Sequence, residues 1–217
     1  MYGILFDLDG TLLDTLEDLA DSVNYALEQH GYPQRTLEEI RTFVGNGAAM
    51  LIKLATSESE DYEQVLRTFQ SYYKTHCQVK TGPYTGILDV LKEIRAEYPV
   101  AVVSNKPDPA VKILCADYFG DVFALGEHAG CTRKPAPDML YKAMEHLGVD
   151  KAVYVGDSEV DVITAKNAGI PCLSVLWGFR DREDMEAVGA EYFCEDPLTL
   201  AESLEALLSR LGLDGNS

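Results

Sequence analysis

The sequence predicts an α/β fold: a parallel sheet covered on both faces by helices, with a helical segment inserted near its start. Three observations predict it. From Ile87 onward, helical periodicities alternate with short apolar runs, as in repeated βα units with right-handed crossovers. Those apolar runs are continuous rather than alternating, as expected of strands buried on both faces. Between Thr15 and about Thr81, by contrast, helical spacing continues without a strand signal.

Ile4 to Phe6 is the first continuous apolar run and predicts a buried strand. Asp7 and Asp9 follow at i, i+2, so an extended backbone points both carboxylates the same way. Gly10 then permits a sharp turn. Thr15 is placed as a helix N-cap, with Asp18 at the capping-box position. Leu16, Leu19, Ala20, Val23, Ala26 and Leu27 recur at helical spacing until Gly31. Thr36 with Glu39 repeats the start signal, and the helix it opens breaks at Gly45-Asn46-Gly47. Helices over Ala48 to Ala55 and from Tyr62 to Tyr73 complete the insertion, and Gly82-Pro83-Tyr84-Thr85-Gly86 predicts a hinge.

Beyond the hinge, Ile87 to Ile94 is helical and Val100 to Val103 is a strand ending at Ser104. Pro109 to Tyr118 is a helix, Val122 to Ala124 a short strand, and Pro137 to Leu147 a helix. Ala152 to Val155 is a strand, Ser158 to Ala168 a helix and Pro171 to Leu176 a strand. Glu191 to Phe193 predicts a short last strand, and Pro197 to Leu211 a closing helix. Ligands of such sheets bind beyond the carboxyl ends of the strands. Asp7, Asp9, Ser104, Asn105 and Gly156-Asp157-Ser158 should therefore share one crevice, with the insertion placed to cover it.

Composition narrows the function classes. A hydrophobic content of 47% supports a real core, while the net charge of −18 argues against nucleic acid and anionic membrane surfaces. Asp181 to Ser217 carries 10 acids against 2 bases, the pattern of a solvated acidic surface. Cys77, Cys115, Cys131, Cys172 and Cys194 are odd in number, scattered and without a C-x-x-C pair, which fits a reducing compartment. No charged-then-apolar leader precedes Ile4, and no stretch approaches the ~18 apolar residues of a membrane span, so a cytoplasmic location is expected.

Asp157 and Asp161, four apart across a strand-to-helix turn, can face one side and join Asp7 and Asp9 around one point. Four unpaired carboxylates would repel, and some would stay protonated. A hard divalent cation with oxygen ligands, magnesium above all, resolves this. Asp157 alone reads equally as a helix N-terminal acid favoured by the dipole. Lys134, in Arg133-Lys134-Pro135-Ala136-Pro137, is either a surface lysine or a point charge for phosphate oxygens. Ser104-Asn105 offers an anion a hydroxyl and backbone N–H groups, or else caps a helix. Gly45-Asn46-Gly47-Ala48-Ala49 has part of a dinucleotide-binding spacing, but the third glycine and the preceding strand are missing. It fits better as a loop tip reaching into the crevice. His30, His76, His128 and His146 show no metal-ligand spacing. Trp177-Gly178-Phe179-Arg180 follows a strand end and serves either packing or the cleft border.

In order along the chain, Asp7-x-Asp9-Gly10-Thr11, Ser104-Asn105, Lys134-Pro135 and Gly156-Asp157-x-x-x-Asp161 resemble the haloacid dehalogenase superfamily. The likeness runs along essentially the whole chain. It implies a doubly wound parallel sheet, a Rossmann-like core, with the Asp7 strand near its centre and a small inserted helical cap. Residues 1–14 and 84–217 would be the core and 15–83 the cap. It implies Asp7 as nucleophile, Asp9 as general acid-base, and Ser104 and Lys134 on phosphoryl oxygens. Thr11, Asn105, Asn46 and Gly47 would complete substrate binding. Asp157 would join Asp7 and the Asp9 carbonyl on magnesium, with Asp161 supporting that shell.

An acid at the Asp9 position is implied for phosphatases and phosphomutases and is absent from dehalogenases, because a halide leaves without protonation. Phe43 to Ala48 and Pro83-Tyr84-Thr85-Gly86 look like the corresponding parts of phosphoglycolate phosphatases. The implied activity is magnesium-dependent hydrolysis of a small phosphorylated metabolite, by a monomer or homodimer without nucleic-acid or membrane partners. A sugar phosphomutase is the alternative, but the resemblance implies a basic cap-loop residue, and Val44 to Ile52 has none. A pyrophosphatase and a non-catalytic interaction module on the same scaffold are further alternatives.

Overall fold

The computed structural model describes residues 2–212. Strand β1 (Tyr2–Phe6) is followed by a two-residue strand β2 (Leu13–Asp14) and four helices, α1 (Leu16–Gln29), α2 (Leu37–Phe43), α3 (Gly47–Ala55) and α4 (Tyr62–His76). A second two-residue strand, β3 (Gly82–Pro83), leads into α5 (Ile87–Glu97), β4 (Val100–Pro107), α6 (Asp108–Phe119) and β5 (Phe123–Glu127). Then come α7 (Asp138–Leu147), β6 (Lys151–Gly156), α8 (Glu159–Ala168), β7 (Cys172–Val175), α9 (Arg182–Ala187), β8 (Tyr192–Cys194) and α10 (Leu200–Arg210), the last preceded by a 3-10 turn.

Six strands form one sheet in the order β5-β4-β1-β6-β7-β8, and every pairing is parallel. The chain builds outward from β1 through β4 and β5, then crosses back to β6 and builds the other half. This is the doubly wound arrangement, with β1 inside the sheet. Successive β1 side chains enter opposite layers, as the strand period demands. Ile4 and Phe6 pack with Ile94, Leu114 and Leu204 on one face. Leu5 packs with Met139, Leu140 and Ala165 on the other. Each of these three β1 residues is fully buried, worth roughly 1.5–3 kcal/mol apiece.

The four helices between β2 and β3 have an apolar cluster of their own, with Val23, Leu27, Ile52, Val65 and Phe69 at its centre. Both chain crossings to the sheet run through one antiparallel ribbon, Leu13 opposite Pro83 and Asp14 opposite Gly82. The segment expected to be a hinge is therefore half of a paired stem. Asp18 belongs to that stem and does not complete a capping box. Its carboxylate accepts from the backbone N–H groups of Lys80 (3.0 Å) and Thr81 (2.8 Å). Thr15 makes no side-chain cap bond, and Asp14 Oδ1 accepts from Leu16 N at 3.2 Å instead. The Thr36–Glu39 capping box forms as expected.

Among the described residues, no helix is long and apolar enough to cross a membrane, and the five cysteines are free. Helix α9 carries no sequence expectation above, because six residues are too few to display a helical period.

Candidate active site

The carboxyl ends of β1, β4 and β6 open into a single cavity. Its walls include Asp7, Asp9, Ser104, Asn105, Asp157 and Ser158, which is the gathering expected from the strand ends. Helices α1, α3 and α4 supply the opposite wall. Asp7, Asp157 and Asp161 each present an oxygen within 4.8 Å of the others, and all three are buried. Two glycines make room for Asp157: a Cβ on Gly10 or on Gly178 would collide with its carboxylate. Gly10 also turns the chain at a φ of 85°, which side chains resist.

Lys134 reaches this cluster from the loop between β5 and α7. Its Nζ donates to Asp7 Oδ1 (2.8 Å), Asp161 Oδ1 (2.7 Å) and the Tyr154 hydroxyl (2.9 Å). Burial by itself would favour the neutral amine. The carboxylates of Asp161 and Asp7 outweigh it and hold Lys134 charged beyond the usual lysine range. The lysine is therefore not a surface residue. Asp161 accepts at its other oxygen from the Ser158 backbone N–H (3.1 Å) and hydroxyl (2.6 Å), so it orients Lys134 and the turn after β6. Asp157 accepts from Phe179 N at 2.7 Å and the Thr11 hydroxyl at 3.3 Å.

The electrostatics call for more positive charge than Lys134 alone supplies. Burial pushes the Asp7 carboxyl up to about 7, against the pull of Lys134. Burial, reinforced by Asp161 and Asp7, holds Asp157 well above the usual carboxylate range. A compact all-oxygen donor set that resists ionisation on its own fits a hard divalent cation such as Mg²⁺. Asp7 and Asp157 would hold it, because Asp161 is already committed to Lys134, Tyr154 and Ser158.

Several expected binding residues take other positions. The Thr11 hydroxyl is turned to Asp157, and its carbonyl accepts from the Trp177 indole N–H at 3.0 Å, so Thr11 supports the carboxylate cluster from outside the cavity wall. The Asn105 amide is held within the protein. It donates to the carbonyls of Gly45 (3.1 Å) and Lys134 (3.0 Å) and accepts from Lys134 N (2.8 Å). It ties the cap loop to the lysine loop, which is a positioning role. Gly45, Gly47 and Ala48 line the cavity, whereas Asn46 does not. Ser104 lines it too, its hydroxyl accepting from Lys106 N at 3.2 Å.

Lys106 escaped sequence reasoning, and Arg180 entered it only as part of a loop. Lys106 is buried, and its Nζ pairs with Asp9 Oδ1 at 2.7 Å. It also lies 4.8 Å from the centroid of the Tyr73 ring on α4. Its position directly after Ser104-Asn105 at a strand end was the available signal. Arg180 donates to the carbonyls of Arg41 (2.8 Å), Thr42 (3.1 Å) and Val44 (2.6 Å), satisfying the end of α2 from across the cleft. The Trp177 to Arg180 loop thus both borders the cavity and packs.

Fold and site together define an α/β enzyme built around a carboxylate cluster at its strand ends. The chain belongs to the haloacid dehalogenase-like hydrolase family, whose model matches residues 4–175. It is phosphoglycolate phosphatase-like. It is 36% identical over 188 residues to the phosphoglycolate phosphatase of Rhodobacter capsulatus, covering 82% of this chain and 85% of that one. The Vibrio parahaemolyticus phosphoglycolate phosphatase is 34% identical over 221 residues, covering 94% and 95%. A crystal structure from Lactobacillus delbrueckii, provisionally named phosphoglycolate phosphatase, superposes with a TM-score of 0.86 at 39% identity, covering 93% of this chain and 97% of that one.

Proposed function

We propose that this protein is a Mg²⁺-dependent phosphatase that hydrolyses a small phosphomonoester, 2-phosphoglycolate foremost, through an aspartyl-phosphate on Asp7. The observation that carries it is the placement of Asp7. It ends a central strand, lies within 4.8 Å of Asp157 and Asp161, and is contacted by Lys134 at one oxygen only. Its Oδ2 accepts no hydrogen bond from the described residues, so a lone pair remains for attack on phosphorus.

The reaction splits into two displacements. Asp7 Oδ2 bonds to phosphorus as the ester P–O bond breaks, and Asp9 delivers a proton to the departing oxygen. Water then attacks the aspartyl-phosphate while Asp9 takes its proton, and inorganic phosphate leaves with Asp7 restored. Lys106 fixes Asp9 in place through both halves. Lys134 and Ser104 face the phosphoryl oxygens, where charge spreads in a loose transition state. Bound magnesium, held by Asp7, Asp157 and the Asp9 carbonyl, would add charge neutralisation at those oxygens.

Residues 15–83 act as a cap over a core of residues 1–14 and 84–217, and the cavity wall it contributes is almost wholly apolar. Such a wall suits a short substrate and gives hexose hydroxyls little to bind beyond the single Tyr73 phenol, which weighs against the phosphomutase alternative. We place the enzyme in the cytoplasm, as a monomer or homodimer. The test is phosphate release, with magnesium, across phosphoglycolate, pyrophosphate, nucleotides and hexose phosphates. Phosphoglycolate should give the highest kcat/KM. Isomerised sugar phosphate without free phosphate would overturn the assignment.

A further inference from the structure

Three cationic side chains reach the cavity wall: Lys134, Arg180 and Lys106. Lys134 is shared by Asp7 and Asp161, and Arg180 is held by three carbonyls and by Glu159 at 3.1 Å. Lys106 differs. Its ammonium has three protons to donate, yet it meets a single carboxylate oxygen, Asp9 Oδ1. Facing it from the cap is Tyr73, 4% exposed. The Tyr73 hydroxyl is buried and Lys106 is its one hydrogen-bonding neighbour among the described residues, so the phenol's own proton has no acceptor there. A buried phenol left so is costly unless a further group completes it.

The rest of the cap's wall is hydrocarbon or backbone: Leu19, Val44, Ala48, Leu51 and Phe69 supply its side chains. An ammonium and a phenolic hydroxyl therefore converge in an apolar frame, where neither has a full set of partners. They lie beside Asp9, the residue that serves the leaving oxygen in the reading above.

We propose that Lys106 and Tyr73 form a recognition site for a second acidic group on the substrate, the carboxylate of a short phosphorylated acid. The proposal rests on the phosphatase reading above and sharpens it. Lys106 lies one hydrogen bond beyond Asp9, so the carboxylate it receives is only one or two carbons from the leaving oxygen. The Tyr73 hydroxyl donates to the same carboxylate. A neutral phosphomonoester of equal length fits the cavity but leaves both groups unanswered.

The test compares kcat/KM for 2-phosphoglycolate with that for 2-hydroxyethyl phosphate, its neutral analogue. The wild type should prefer the acid. Lys106→Met should lower the acid-to-neutral ratio about fiftyfold, mostly through the KM of the acid, and Lys106→Arg should recover part of it. Tyr73→Phe, which removes one oxygen and leaves the ring, should lower the ratio about fivefold. This variant decides the matter if Lys106→Met fails to fold. A variant that slows both substrates alike, leaving the ratio unchanged, reduces Lys106 to a support for Asp9 and overturns the proposal. A wild type that hydrolyses both esters without preference overturns it too, while the phosphatase reading survives. A wild type that releases phosphate from neither ends both.

Discussion

Two lysines serve one cleft, and their surroundings differ. Lys134, beside the proposed nucleophile, is enclosed by core residues: Asp7, Asp161 and Tyr154 each contact its ammonium. Lys106, beside the proposed acid-base, has one core partner, Asp9, and Tyr73 of α4 over it. The charge around Asp7 and Lys134 is thus set by core residues alone and leaves room for a cation, whereas the Asp9–Lys106 pair is met by a residue from the helices between β2 and β3. A site divided this way can keep its chemistry fixed while its choice of substrate follows the cap.

The largest test of this division is Asp7→Asn. Removing the attacking carboxylate should cost at least about 10⁴-fold in kcat with KM little changed, because the rest of the cleft is intact. Full activity in homogeneous Asp7→Asn protein would place the nucleophile elsewhere. Next comes pH. Asp7 titrates near 7 in the metal-free fold against 3.8 as its ordinary value, so between those limits the folded state binds more protons than the unfolded one. Its contribution to stability is full below about pH 4 and is lost as pH rises through 7. Magnesium replaces that proton, so its stabilisation should be several degrees larger in Tm at pH 8 than at pH 5.5. An equal Mg²⁺ effect on thermal melts at the two pH values would separate the metal from the nucleophile half. The smallest effect belongs to the cap side. Arg180→Ala should destabilise by about 2–3 kcal/mol in urea unfolding, since it strips a 9%-exposed guanidinium from the end of α2. Its KM should rise more than its kcat falls, as expected if the cap governs binding.

The gathering of the carboxylates was legible in the sequence; on the opposite wall only the placement of the insertion and of its Gly45 to Ala48 loop was, for physical reasons. Asp7, Asp9 and Asp157 stand at the ends of buried apolar runs, with Asp161 one helical turn beyond, and a parallel sheet brings such strand ends together whatever the details. The 4.8 Å gathering of Asp7, Asp157 and Asp161 follows from topology. The Lys106–Asp9 pair joins residues 97 apart, and beyond its place at a strand end nothing local marks Lys106 as buried. Arg180 and the end of α2 meet across some 138 residues, again without a periodic signal. At Asp18 two local rules competed. A capping box with Thr15 was available, but the stem amides of Lys80 and Thr81 claimed the carboxylate. Thr11 and Asn105 turn their side chains to protein partners, which the sequence did not show because a motif fixes position and not which way a hydroxyl or amide turns. Strands of two residues, such as β2 and β3, are too short to show any alternation.

The paired stem has an evolutionary consequence. Because the chain leaves and rejoins the sheet through adjacent rungs of one ribbon, the sheet meets whatever lies between as a single doorway of constant width. Sixty-odd residues can be lengthened, shortened or exchanged behind that doorway with no change to a strand, a register or the carboxylates. New specificities can then arise by refurnishing one room of the molecule, leaving its foundations untouched.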